Sequence, residues 1–228
     1  MKSSSKKIGI LIVDDHPLLR EAMRTAFEKH SDMTVLGEAA NGEEAVKLSA
    51  ELKPDIVIMD IVMPRLSGID AISQIKKVSP QTAVLILTAY DDDRYVIGLL
   101  EAGAAGYMLK SARGQDLVEA VRTVYVGESV LHPSIIAKIL KYRVQGQDPD
   151  GELRPAHTLS EREVDVLKLA AKGMSNKEIA ENLCLSVRTV KAHLSNIFNR
   201  MDVASRTEAI VKGVREGWLT LEDVSGTD

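Results

Sequence analysis

Five side chains in the first half of the sequence have the types that phosphoryl chemistry needs. They are three carboxylates, one hydroxyl and one ammonium group, and they end or directly follow short apolar runs: Asp14, Asp15, Asp60, Thr88 and Lys110. Carboxylates held close together repel one another strongly, so they bind either protons or a hard cation. With oxygen atoms as the ligands, the expected cation is Mg²⁺.

A carboxylate beside a divalent cation can act as a nucleophile toward phosphorus. A lysine and a hydroxyl nearby can hold the oxygens of the group that is being transferred. The five residues therefore predict a site that phosphorylates one of its own aspartates. The alternative is a set of separate, solvated carboxylates at the starts of helices, and the combination of five positions disfavours it.

A second candidate for chemistry is a basic stretch near the C-terminus. The chain has a net charge of −4, yet residues 168–215 hold nine Lys and Arg against four Asp and Glu. Within this stretch, one predicted helix carries short polar and basic side chains at its outward positions: Arg188, Thr189, Lys191, Ala192, Ser195 and Asn196. Such a helix can enter the major groove of DNA. From spacing alone, a helical hairpin for protein contacts remains open.

The elements that must position the first group follow from the hydrophobic pattern. Five short apolar runs alternate with five helical patterns over residues 8–125. Continuous apolar runs are typical of strands buried on both faces, and this alternation predicts an α/β fold with a five-stranded, doubly wound parallel sheet. In such sheets, ligands bind beyond the carboxyl ends of the strands, which is where the five side chains fall.

The C-terminal part has a different pattern. Four helical patterns follow one another over residues 160–217, and they predict a second, smaller all-α domain. A further helix over 133–143 and an aperiodic segment rich in Gly, Pro and Asp separate it from the first domain. Cys184, the one cysteine, excludes an intrachain disulfide and is expected to be a small core residue.

Composition excludes several protein classes. The chain has 228 residues, 45% apolar and 27% charged, which favours two globular domains over a disordered protein. No apolar run approaches the roughly 18–20 residues that cross a bilayer. The apolar run 8–13 is too short for a signal peptide. We therefore expect a cytoplasmic protein with no membrane contact.

Residues 8–125 resemble the receiver domain of two-component response regulators. The motifs that carry the resemblance are Val13-Asp-Asp-His-Pro-Leu-Leu-Arg20, Met59-Asp-Ile-Val-Met-Pro64 and Gly103-Ala-Ala-Gly-Tyr-Met-Leu-Lys110, and they are similar to the NarL/FixJ subfamily. The resemblance implies a flavodoxin-like fold in which a histidine kinase phosphorylates Asp60. It also implies that Asp15, Asp60 and the carbonyl of Val62 bind Mg²⁺, with Asp14 acting partly through water.

The same resemblance implies roles for three further residues. Lys110 pairs with the phosphoryl oxygens, and Thr88 hydrogen-bonds the phosphoryl group and moves toward it. Tyr107 then rotates inward to complete a conformational switch. Together, Asp60, Thr88 and Lys110 form the expected catalytic set.

Residues 157–220 resemble the LuxR-type helix-turn-helix. The resemblance rests on Leu159-Ser-Glu-Arg-Glu-Val164, Gly173-Met-Ser-Asn-Lys-Glu-Ile-Ala180 and Thr189-Val-Lys-Ala-His-Leu-Ser-Asn-Ile197. It implies that the helix carrying Lys191 contacts DNA. It also implies a homodimer on DNA through one stripe of the last helix: Ala209, Ile210 and Val214.

The expected protein is a phosphorylation-dependent transcriptional regulator and not an enzyme with a substrate of its own. We expect a receiver domain at 1–128, a helix and linker at 129–156, and a helix-turn-helix domain at 157–228. Its partners would be a sensor histidine kinase and double-stranded promoter DNA. Two alternatives stay open: a phosphatase with an aspartate nucleophile, and a DNA-binding protein whose receiver serves only for dimerisation.

Overall fold

The computed structural model describes residues 7–63, 66–88, 98–131 and 159–224. The chain divides into two compact units, Met1–Val130 and Leu131–Asp228. Within the described residues, none of the helices combines the length and the hydropathy that a membrane span requires. The helix expected at 133–143 and the linker after it lie outside the described residues.

The first unit is built on a five-stranded parallel sheet. Its strands are β1 (Ile8–Val13), β2 (Met33–Ala39), β3 (Ile56–Met59), β4 (Ala83–Thr88) and β5 (Gly106–Leu109). They lie in the order β2-β1-β3-β4-β5, and every pair is parallel. The predicted doubly wound sheet is confirmed, and β1, β3 and β4 are its central strands.

Four helices of the first unit pack on this sheet: α1 (Pro17–Glu28), α2 (Gly42–Leu52), α3 (Gly68–Val78) and α4 (Gly114–Tyr125). α1 packs against α4, and α2 packs against α3. Of the helix expected at 91–101, residues 98–101 are helical and 91–97 lie outside the described residues. Side chains cap two of these helices: Asn41 accepts a hydrogen bond from the amide of Glu44 at the start of α2, and Ser67 accepts one from the amide of Asp70 at the start of α3.

One side of the sheet forms a continuous apolar core with α1 and α4. Ile10 and Ile12 of β1, Phe27 of α1 and Val121 of α4 are completely buried in it. The apolar spacing over residues 17–30 predicts one packed face on α1 that includes Leu18 and Ala22, and this prediction is wrong at both positions, because Ala22 is exposed and Leu18 is 81% exposed. Leu18 lies in the first turn of α1, directly after Pro17, and it points away from this core.

The chain returns to the sheet once more after α4. Gly106 of β5 forms a parallel bridge with Val130, and the amide of Tyr107 donates a hydrogen bond of 3.1 Å to the carbonyl of Val130. A Cβ atom on Gly106 would lie 3.0 Å from the Cβ of Val130 and 3.1 Å from the Cδ1 of Leu85. The absence of a side chain at Gly106 therefore lets the returning chain approach β5 this closely.

The second unit is helical. Its helices are α5 (Glu161–Ala171), α6 (Asn176–Asn182), α7 (Val187–Met201), α8 (Arg206–Arg215) and the short α9 (Leu221–Val224). A serine side chain caps each of the first four helices by accepting an amide hydrogen bond three residues on: Ser160, Ser175, Ser186 and Ser205. The local sequence signals thus fix the helix starts, and α9 is an element that the hydrophobic pattern did not predict.

A buried arginine holds α8 against α5. Arg206 is 2% exposed, and its Nη2 donates to the carbonyls of Ala170 and Met174 at the C-terminal end of α5. A cation is favourable there because the last carbonyls of a helix carry partial negative charge. Cys184 lies in the turn between α6 and α7, where it is exposed and has a φ of 54°. Its expected place in the core is therefore wrong.

Candidate functional site

The predicted carboxylates meet at the carboxyl edge of the sheet. Asp14 and Asp15 follow β1, Asp60 follows β3, and these two strands are neighbours in the sheet. The amide of Asp60 donates a hydrogen bond of 2.8 Å to the carbonyl of Val13, which continues the pairing beyond β3. This pairing brings the side chains of Asp14 and Asp60 to the same edge, where they are 1% and 4% exposed.

Lys110 links the two buried carboxylates. Its Nζ lies 2.8 Å from Oδ2 of Asp14 and 2.7 Å from Oδ2 of Asp60. Burial lowers the pKa of Lys110, but the hydrogen bonds and charges of Asp14 and Asp60 outweigh that effect and raise the pKa above its ordinary value. Lys110 therefore remains an ammonium group at neutral pH and offsets part of the negative charge of the site.

The loop after β3 holds the second oxygen of Asp60. Oδ1 accepts hydrogen bonds from the amides of Ile61 at 2.7 Å and Val62 at 3.3 Å. A Cβ atom on Gly68, the first residue of α3, would lie 2.5 Å from Cγ2 of Ile61. Glycine at this position thus lets α3 begin directly against the loop that carries Asp60.

Two residues of the α1 region contact the site although they were not among the predicted site residues. Arg20 donates from Nη1 to the carbonyl of Asp14 at 2.6 Å and pairs with Glu38 of β2 at 3.2 Å. The Nδ1 of His16 lies 3.0 Å from Oδ1 of Asp14 and 2.8 Å from Oδ1 of Asp15. The sequence could have indicated these two residues only through their position, since both lie within six residues of Asp14.

The acidic edge has the donor atoms of a divalent-cation site. Asp14, Asp15, His16 and Asp60 each offer one ligand atom, and these atoms all lie within 4.8 Å of one another. Carboxylate oxygens are the ligands that Mg²⁺ prefers. The residues present therefore fit a divalent cation. For Val62, the structure gives an exposed side chain and the amide contact to Asp60, so its carbonyl as a ligand stays a prediction.

The two predicted switch residues lie on the neighbouring strands. Thr88, the last residue of β4, is 1% exposed, and its carbonyl accepts a hydrogen bond of 2.7 Å from the amide of Lys110. Tyr107 lies in β5, pairs with Ile86 and is partly buried. The structure thus places Thr88 beside the backbone of Lys110, and the movements of Thr88 and Tyr107 stay predictions.

In the second unit, α7 exposes most of the residues that were predicted to contact DNA. Five of them are solvent-exposed: Arg188, Lys191, Ala192, Ser195 and Asn196. The sixth, Thr189, is partly buried, and its Oγ1 lies 2.8 Å from Oγ of Ser186, the residue that caps the helix. The hydroxyl of Thr189 therefore contributes to the start of the helix, whereas the other five form one open face.

The opposite face of α7 packs inward. Val190, Leu194 and Ile197 are at most 4% exposed. The apolar spacing of this helix also predicts Val187 on the inward face, yet Val187 is 40% exposed. It is the first residue of α7, and the packed stripe begins only at Val190.

The predicted dimer contact needs a correction. Ala209, Ile210 and Val214 are 0% exposed within a single chain. α8 packs on α5 and α7, and seven of its ten residues are buried, the three of this stripe among them. Side chains without exposed surface cannot touch a second copy, so the stripe is core and not a dimer contact.

Comparisons with protein families agree with this division of the molecule. Residues 10–122 match the response regulator receiver domain, and residues 157–212 match the bacterial regulatory proteins of the luxR family. DegU, a transcriptional regulatory protein of Brevibacillus brevis, is 36% identical over 95% of this chain and 97% of its own. The response regulator VraR of Staphylococcus aureus is 40% identical over 90% of this chain and 95% of its own.

Solved structures of response regulators are also similar to this chain. A two-component response regulator of the LuxR family from Aurantimonas sp. SI85-9A1 is 35% identical, with a TM-score of 0.55 over 61% of this chain and 99% of that one. The signal receiver domain of NarL from Mycobacterium tuberculosis is 31% identical, with a TM-score of 0.53 over 54% of this chain and 100% of that one. Both similarities agree with the flavodoxin-like sheet described above.

Proposed function

This chain belongs to the two-component response regulators that join a receiver domain to a LuxR-family DNA-binding domain, and we propose that a phosphoryl group on Asp60 controls how it binds promoter DNA. Relatives of nearly the same length are transcriptional regulators, so the chain is a signalling transcription factor. The proposed phosphoryl donor is a sensor histidine kinase. Because its DNA target lies in the cytoplasm, we place the protein there.

The observation that carries the proposal is the contact of one lysine with two buried carboxylates. Lys110 Nζ lies within 2.8 Å of both Asp14 and Asp60, although the three residues come from three different strand ends. Isolated surface carboxylates do not require such an arrangement. Buried like charges that share one cation are typical of a site that handles a further charged group.

The chemistry follows from these groups. One oxygen of Asp60 attacks the phosphorus of a phosphohistidine, the new O–P bond forms as the P–N bond breaks, and the departing imidazole takes up a proton. A bound Mg²⁺ would neutralise negative charge on the transferring oxygens. We assign its protein ligands to Asp15, Asp60 and the carbonyl of Val62, with Asp14 acting partly through water. Lys110 holds a phosphoryl oxygen.

The switch that follows involves the ends of β4 and β5. The hydroxyl of Thr88 hydrogen-bonds the phosphoryl group and moves toward it, and Tyr107 rotates into the space that Thr88 leaves. This change shifts the population toward a form that releases or dimerises the helix-turn-helix. We assign residues 1–128 to the receiver, 129–156 to a helix and linker, and 157–228 to the DNA-binding domain.

The open face of α7 is the proposed DNA contact. Arg188 and Lys191 bring positive charge to phosphates or guanine, and Asn196 can pair with adenine. Ala192 can contact the methyl group of a thymine. A homodimer would place two such helices about one DNA turn apart on an inverted repeat. Because the stripe at Ala209 is core, the dimer contact must use other residues.

The direct test is phosphorylation of the full-length protein by acetyl phosphate with Mg²⁺, followed by intact-mass analysis. We expect one added phosphoryl group on the wild type and on the control variant Asp165→Asn, and none on Asp60→Asn. Asp165 suits the control because it is exposed and lies in the second unit. Equal labelling of Asp60→Asn would contradict Asp60 as the acceptor.

The DNA part of the proposal is tested with the same labelled protein. We expect tighter binding to a DNA inverted repeat after labelling, measured by fluorescence anisotropy, and no change for Asp60→Asn. Labelling without any change in affinity would leave the receiver chemistry standing and refute its control of DNA binding. Turnover of a simple phosphomonoester by the wild type would instead support an enzyme.

A further inference from the structure

His16 contacts the acidic site yet has no part in the chemistry proposed above. It follows Asp14 and Asp15 directly, and its side chain is 67% exposed. An imidazole that is largely exposed does not contribute to the core of the domain. Its position is nevertheless specific, because a single ring atom, Nδ1, lies within 3.0 Å of both carboxylates.

The backbone fixes the place from which this ring extends. The amide of His16 donates a hydrogen bond of 2.8 Å to Oδ1 of Asp14. Pro17 follows it as the first residue of α1, and a residue before proline is restricted to extended conformations. His16 accordingly has φ −89° and ψ 108°. Only the side-chain torsions of His16 remain free, and the ring begins directly beside the acidic pair.

The distances match those between ligands of one metal ion. In an octahedral complex with bonds of about 2.1 Å, neighbouring ligand atoms lie about 3.0 Å apart. Nδ1 of His16 lies 3.0 Å from Oδ1 of Asp14 and 2.8 Å from Oδ1 of Asp15. A ligand atom of Asp60 lies within 4.8 Å of these atoms, so all four residues can share an ion.

We propose that Nδ1 of His16 is a further ligand of this metal site and makes it a site for first-row transition ions as well as for Mg²⁺. The inference rests on the proposed function, because the carboxylates are the same. Mg²⁺ prefers oxygen ligands and keeps several water molecules, so it gains little from an imidazole. Transition ions gain more from imidazole nitrogen, and their affinity rises from Mn²⁺ to Co²⁺ and Ni²⁺.

The first measurement compares metal affinities of three full-length proteins by isothermal titration. They are the wild type, His16→Ala, and the control His30→Ala, whose ring lies by Arg122 away from the acidic edge. We expect His16→Ala to lose at least about tenfold in Co²⁺ affinity, the scale on which metal-site partners act. Its Mg²⁺ affinity should change far less. His30→Ala should match the wild type for both ions.

The second measurement is direct. Pulsed electron paramagnetic resonance on the Mn²⁺-loaded wild type should show coupling to a nitrogen nucleus, and His16→Ala should lose that coupling. If the wild type binds Mg²⁺ and Co²⁺ but its Mn²⁺-loaded form shows no nitrogen coupling, the assignment of His16 is overturned. Equal losses of Mg²⁺ and Co²⁺ affinity in His16→Ala would also overturn it. If the wild type binds neither ion, the magnesium site of the proposed function fails as well.

Discussion

The proposed phosphoacceptor site draws its groups from positions 14 to 110, whereas the proposed DNA-binding face lies between positions 188 and 196 of a single helix. Asp14 and Asp60 are almost completely buried, and Lys110 forms an ion pair with each of them. Lys191 and its neighbours on α7 are exposed. At the acidic edge, tertiary contacts between strand ends keep charged side chains inside the protein. On α7, the helix period places charged side chains on the face that is open to solvent.

This difference determines whether stability and function can be changed separately in each region. In the receiver, the residues of the proposed site also affect the free energy of unfolding, because a buried charge that loses its partner is costly. On α7, the functional face and the packed face are opposite sides of one helix. Substitutions in α7 should therefore affect either binding or stability, whereas substitutions at the acidic edge should affect both.

The largest effect is expected from Leu194→Ala, on the packed face of α7. Leu194 is 4% exposed, and truncation of such a leucine costs about 2–5 kcal/mol through lost burial and a cavity. Lys191→Ala on the open face should leave the unfolding free energy within about 0.5 kcal/mol but weaken DNA binding roughly tenfold or more. Urea denaturation and DNA titration of both variants measure the contrast. A clear loss of stability in Lys191→Ala would contradict the separation of the packed face from the open face of α7.

The next effect is expected from Lys110→Ala at the acidic edge. Without the ammonium group, Asp14 and Asp60 face each other as uncompensated buried charges, and we expect a loss of about 2 kcal/mol in the unfolding free energy. Thermal unfolding with and without Mg²⁺ checks the cause, because a divalent cation should restore part of the loss. The double variant Lys110→Ala with Asp60→Asn should be less destabilised than the sum of both single changes.

A smaller effect is expected from Gly106→Ala in β5. The new methyl group would lie 3.0–3.2 Å from atoms of Leu85 and Val130, which forces a local shift that costs about 1–2 kcal/mol. Gly114→Ala is the matched control, because a Cβ atom there meets nothing within 4 Å. Chemical denaturation of both variants gives the comparison. Equal stability would mean that the close approach of Val130 carries no cost.

The smallest effect on stability is expected from removing the charge of Glu163 in the second unit. Burial raises the pKa of Glu163, but hydrogen bonds from the backbone and hydroxyl of Ser160, with the charges of Arg200 and His193, outweigh it and lower the pKa. A lowered pKa adds stability above the ordinary value of 4.5, and that stability is lost as the pH falls through the folded-state pKa.

We therefore expect Glu163→Gln to be less stable than the wild type by about 0.5–1 kcal/mol near neutral pH. The difference should shrink as the pH falls below 4.5 and through the lowered pKa of Glu163, measured by urea denaturation from neutral to acidic pH. Glu161→Gln, an exposed residue in the same first turn, serves as the control and should show little difference at any pH. A constant difference for Glu163→Gln would refute a role for its charge.

Much of the fold follows from the sequence because its signals are local. Continuous apolar runs identified β1 and β3, and each of the helices α5 to α8 begins after a serine that caps it. The convergence of Asp14 and Asp60 followed from one rule, that carboxyl ends of parallel strands share an edge. These predictions needed no knowledge of which side chains touch.

Contacts between elements were the part that the sequence did not determine. The stripe at Ala209 has the same spacing whether it faces a second copy or its own core, and only the packing of α8 on α5 and α7 decides between them. Likewise, periodicity cannot show that Val187 and Leu18, each in the first turn of a helix, lie beyond the packed surface. His16 and Arg20 were missed because their roles depend on where α1 begins.

The return of the chain to β5 has a mechanical consequence. Val130 is the last residue of the first unit, and its carbonyl is tethered to the amide of Tyr107, three residues before Lys110. The first unit therefore ends beside β5, the strand that Lys110 directly follows. A displacement of β5 at Tyr107 would act on Val130 through this hydrogen bond, so the end of the first unit is coupled mechanically to the strand that precedes Lys110.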